Sequence, residues 1–114
     1  MRLFYANLAG LIIFFCFSAT VFAAPSATVS GRVADAVGAA VPGASIEITN
    51  VNTNQTVGVE TNDDGFYIAA ELAPGLYRIR AVKSGFQTAV REQVVLNVAA
   101  NVKVNFRLEA GQLS

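Results

Sequence analysis

The chain has 114 residues, eight basic and eight acidic side chains, no histidine and a single cysteine, Cys16. Such a length suits one domain. Beyond residue 16 it can offer no imidazole catalysis, thiol chemistry, disulfide or His- or Cys-based metal centre, and its balanced charge, free of basic runs, argues against nucleic acid or an anionic membrane surface as a partner.

Apolar residues crowd the start. Five of the eight Phe (Phe4, Phe14, Phe15, Phe17 and Phe22) fall there. Arg2 precedes an uncharged run at residues 8–17 (LAGLIIFFCF), and Val21, Phe22 and Ala23 close the segment. Basic start, apolar centre and small-residue exit are the order of a secretory signal peptide, here read as a helix cut after Ala23. An uncleaved anchor is the alternative, since residues 3–24 are long enough to span a bilayer; Asn7, Gly10 and the small-residue end speak against it. Cys16 leaves with the peptide, because Phe14 and Phe15 do not suit a lipoprotein cleavage site. Loss of Arg2 leaves seven basic residues against eight acidic ones.

Residues 24–27 form a short leader. From Thr28 the sequence alternates with period two between Gly, Pro, Asn and Asp breaks, and no stretch keeps a helical period. The predicted strands are 28–33, 44–49, 55–61, 66–70, 76–83, 86–96 and 101–109. Between them lie a loop ending in Pro42 and Gly43, the turn-rich residues 50–54, a tight turn at Asn62, Asp63, Asp64 and Gly65, the pair Pro74 and Gly75, and Ser84 with Gly85.

About seven short strands with hairpin signals close best as an antiparallel Greek-key β-sandwich, each strand having one buried and one wet face. The expected inward set is Val29, Val33, Ile46, Ile48, Val57, Val59, Phe66, Ile68, Tyr77, Ile79, Val102, Val104, Phe106 and Leu108. Asn105, on the opposite phase of the last strand, is expected to matter little. The domain is bounded at 28–109, with 110–114 as a C-terminal tail; a fragment, a truncated product and a free-standing module are the readings left open.

Five motifs in order make the sequence more specific: VSGRVAD at 29–35, VPGASIEI at 41–48, TNDDGFYI at 61–68, LAPGLYRI at 72–79 and KSGF at 83–86. Together they resemble the carboxypeptidase regulatory-like domain, a transthyretin-like or prealbumin-like sandwich. A leader followed at once by such a domain also resembles the N-terminus of Oar-like TonB-dependent outer-membrane receptors. That resemblance implies an exported protein of the periplasm or outer membrane, a non-enzymatic accessory module with an envelope protein or receptor domain as partner. The chain has too few alternating segments to form a barrel of its own. A carbohydrate-binding module of similar fold is the alternative.

The chemistry-bearing residues fit this reading. Glu60, Asn62, Asp63 and Asp64 lack the spacing of a calcium loop and suit a turn. Glu47, Glu60, Glu71 and Glu92 fall on wet phases or near turns, without a nucleophile or base beside them, so no catalytic residue, cofactor site or metal site is expected. A Lys–Asn isopeptide is unfavourable because the first strand carries Arg32 and no Lys. The expected binding face combines Tyr67 with Arg78 and Arg80, residue types favoured at interfaces.

Overall fold

The computed structural model describes residues 25–111. The expected signal peptide, its cleavage point and the last three residues of the tail lie outside the described residues. Eight strands form: β1 (Ala27–Asp35), β2 (Ser45–Asn50), β3 (Thr56–Glu60), β4 (Phe66–Leu72), β5 (Gly75–Val82), β6 (Ala89–Leu96), β7 (Asn101–Lys103) and β8 (Phe106–Leu108). Among the described residues no helix is long and apolar enough to cross a membrane.

One sheet runs β4-β1-β7, with β8 continuing beside β1; the other runs β3-β2-β5-β6. The β2–β3 and β5–β6 hairpins stay within a sheet, and every other connection apart from the β7–β8 joint crosses between sheets. The all-β sandwich expected from the alternation is therefore present. Its pairings are antiparallel except at one place: β1 runs parallel to β7 and β8. The predicted last strand is split in two around Val104 and Asn105.

The core is a single cluster between the sheets. Val29, Val33, Ile46, Ile48, Ile79, Leu96 and Leu108 are its fully buried large side chains. At about 1.5–3 kcal/mol each for complete burial, such side chains supply the main drive to close the sandwich. Tyr77 is buried too, and its hydroxyl donates to Ala73 O at 2.6 Å across the β4–β5 turn. Buried Thr61 joins loops by donating to Val41 O at 2.7 Å and accepting from Ala44 N at 2.8 Å.

Two expectations about the core are corrected. Phe66 and Ile68 point outward, 52% and 64% exposed, while Tyr67 and Ala69 are buried. The run Phe66, Tyr67, Ile68 is apolar at successive positions, so hydrophobicity does not fix its phase. Pairing does: Tyr67 lies opposite Gly31, which has no side chain to compete for the interior. The second correction is Val57, 42% exposed although its register partner Ile48 is fully buried. Strand β3 is an edge strand, hydrogen-bonded to β2 alone, so Val57 lies at the rim of the sandwich.

The Asn62 turn is structural. Its carboxamide oxygen accepts from Asp64 N and Phe66 N, both at 3.0 Å, and its backbone pairs with Phe66 O. Gly65 has φ 79° and sits against Val33, where an added Cβ would lie 2.6 Å from the carbonyl oxygen. The turn thereby locks the start of β4 onto β1 and sets the phase that turns Phe66 outward.

Candidate functional site

Tyr67, Arg78 and Arg80 do not form one face. Tyr67 is on β4 in the first sheet, only 4% exposed, and its hydroxyl donates to Val104 O at 2.5 Å. Burial pushes its pKa up to about 12, partly opposed by the nearby Arg91 charge. Arg78 and Arg80 are on β5, on the outer surface of the second sheet. Arg80 pairs with Glu47 across β2 at 3.2 Å, and both side chains are well exposed. An ion pair of that kind is worth about 0–1 kcal/mol and suits a solvated surface.

The first sheet carries the more unusual surface. Register places Phe66 beside Arg32, and Ile68 beside Ser30, which in turn lies beside Lys103. Phe66, Arg32, Ser30 and Lys103, with Asn105, border a shallow depression of about 440 Å3. An exposed aromatic and an exposed Ile on one flat sheet are apolar surface left wet, in a small domain that has every reason to bury it. The outward positions of β1, β7 and β8 add Arg32, Lys103 and Arg107 and no carboxylate. Arg32 and Arg107 are steadied from behind by the β1–β2 loop, donating to Gly38 O (3.2 Å) and Ala36 O respectively.

The joint between β7 and β8 is tied to its neighbours by side chains. In a regular parallel ladder Arg32 N would bond Val104 O. Here that carbonyl turns inward, toward Gly31 and the Tyr67 hydroxyl; an added Cβ at Gly31 would lie 1.9 Å from it. Asn105 replaces the missing acceptor with its side chain, whose Oδ1 takes Arg32 N at 2.9 Å. Arg91 on β6 reaches over from the other sheet, donating to Asn105 O at 3.3 Å with its guanidinium 5.9 Å from the Phe106 ring centroid. Asn105 is thus a structural residue, contrary to the expectation that it would matter little.

Sequence reasoning missed Phe66, Ile68, Lys103 and Asn105 as surface determinants. A signal for the first two was present: three successive large apolar residues in a strand cannot all face one core. Nothing in the sequence foretold the role of Asn105.

Among the described residues no three His, Cys, Asp or Glu side chains gather where they would hold a metal ion. The two sheets and the crossover order define a β-sandwich domain, with a partly apolar, cationic face on one sheet. Residues 28–109 match the carboxypeptidase regulatory-like domain, and the chain belongs to that family, a non-catalytic one. No curated protein matches the sequence.

Solved structures share the fold at low identity. A chain of a type II cohesin–X-dockerin complex from Acetivibrio cellulolyticus is 18% identical, with a TM-score of 0.62, covering 76% of this chain and 60% of that one. A protein of Bacteroides uniformis ATCC 8492, whose assignment to carbohydrate binding is provisional, is 18% identical, TM-score 0.60, covering 74% and 41%. Hydroxyquinol 1,2-dioxygenase from Pseudomonas putida DLL-E4 is 11% identical, TM-score 0.60, covering 80% and 58%. The chain spans less than two thirds of each of these structures.

Proposed function

We propose that this is a non-enzymatic interaction module of the bacterial envelope, exported and working beside a TonB-dependent outer-membrane receptor, and that it engages a protein partner through the outer surface of β4, β1 and β7. The observation that carries the reading is the outward pair Phe66 and Ile68 among Arg32 and Lys103. Aromatic and Arg side chains give much contact energy per residue at interfaces. The receptor association is supported by the sequence order alone, a leader of export type followed directly by this domain.

A second reading has its own support. An aromatic ring in a shallow depression, with Arg32, Lys103 and Asn105 as hydrogen-bonding neighbours, also suits a saccharide. One experiment separates the two. A photo-crosslinking residue at position 66 is introduced in cells, alongside saccharide binding by the purified chain. Crosslinking to an outer-membrane receptor, abolished by Ile68→Ser, supports the protein partner. Saccharide binding abolished by Phe66→Ser, with no protein crosslink, supports the alternative. Crosslinks from position 78 and none from position 66 would move the interface to the other sheet.

A further inference from the structure

We propose that this domain is a load-bearing link, built to resist being pulled apart by its two ends. The inference rests on topology and is independent of which ligand the β4-β1-β7 surface takes.

Strand β1 enters the sandwich at one pole and runs to the other. Strands β7 and β8 lie next to it and run in the same direction. The start of β1 and the end of β8 are therefore at opposite poles. Tension on them drives neighbouring strands past each other along their common axis. In that geometry the cross-strand bonds share the load and must fail together. When two strands are drawn apart from one end, each bond carries the load in turn.

The bonds across this seam run its whole length. Thr28 N donates to Ala100 O at 2.9 Å and Val104 N to Ser30 O at 2.8 Å. Register pairs continue to Asp35 and Leu108. At the β7–β8 joint, the one place where the regular ladder breaks, the Asn105 side chain restores the missing bond to Arg32 N. Tyr67 holds the turned Val104 carbonyl, and Arg91 holds the carbonyl of Asn105. The weak point of the seam is thus pinned by its own Asn105 side chain, bonded to β1, and by side chains from two other strands, β4 and β6.

The test is single-molecule pulling of the full chain carrying Cys16→Ser, so that engineered cysteines are the sole attachment points. Handles at Ser26→Cys and Glu109→Cys load the seam along its axis. Handles at Ser26→Cys and Asn97→Cys, both at the pole where β1 begins, peel it. The expected result is a several-fold higher unfolding force for the first pair, with Asn105→Ala lowering the axial force and leaving the peeling force unchanged. Equal forces in the two geometries overturn the proposal. So does an Asn105→Ala effect of the same size in both, which would mean that the variant merely destabilises the fold.

Discussion

Replacing Tyr67 by Phe removes one oxygen and leaves the ring. The ring keeps its buried place, 6.5 Å from Phe106 between centroids, so the apolar contribution is retained. What disappears is the hydroxyl donor to Val104 O, a carbonyl that the split of the last strand has turned inward. An orphaned buried acceptor costs about 1–3 kcal/mol. For a domain of this size, each kcal/mol shifts the midpoint by about 4–8 °C, so Tyr67→Phe should melt several degrees lower, and its urea midpoint should fall with unchanged slope. A second signature depends on pH. The folded hydroxyl titrates near 12, above its ordinary value of 10.0. A raised folded pKa means that its contribution is complete below pH 10.0 and is lost as pH rises toward about 12. The stability gap between wild type and Tyr67→Phe should therefore narrow across that window. Equal stability at neutral pH, or a gap that stays constant up to pH 12, would refute the reasoning.

Gly31→Ala should be among the most damaging single substitutions, because its Cβ would fall 1.9 Å from a backbone oxygen that is itself held by Tyr67; the loss should reach or exceed the ~1–3 kcal/mol of ordinary overpacking, read as a collapse of the denaturation midpoint. Phe106→Ala should cost about 3–5 kcal/mol, whereas the double variant Phe66→Ser, Ile68→Ser should stay within about 0.5 kcal/mol per site; similar losses for the two would mean that the β4 phase is wrong. A double-mutant cycle on Glu47 and Arg80 should return at most about 1 kcal/mol, shrinking further as salt is raised.

The sandwich was legible because its strands alternate cleanly. In β1, β2 and β5 Arg32, Glu47, Arg78 and Arg80 keep to one phase, and Val29, Val33, Ile46, Ile48, Tyr77 and Ile79, on the other, all went inward as the pattern required. Where the pattern was degenerate, the reading failed. Phe66, Tyr67 and Ile68 offered two equally apolar phases, and the choice between them was made by Gly31 on another strand. The expected binding face failed for the same reason: with Tyr67 turned inward and β4 and β5 in different sheets, it has no shared surface with Arg78 and Arg80. The part played by Asn105 rests on a backbone irregularity, and composition carries no trace of it.

The parallel pairing of the first strand with the last also governs how the molecule comes into being. Arg32 and Asn105 are 73 residues apart in sequence, and their bond lies in the middle of the seam that completes one sheet. Contacts of such separation form late and slowly, since the intervening loop entropy must be met first. Until the final strand arrives, the edge of β1 opposite β4 is open, and a chain held at that stage presents an unpaired strand to its neighbours. A ribosome-bound or translocating chain therefore cannot finish this domain early. Delaying emergence of residues 101–108 should prolong sensitivity to protease and the need for a holding chaperone, and lengthening the β2–β3 turn should have far less effect.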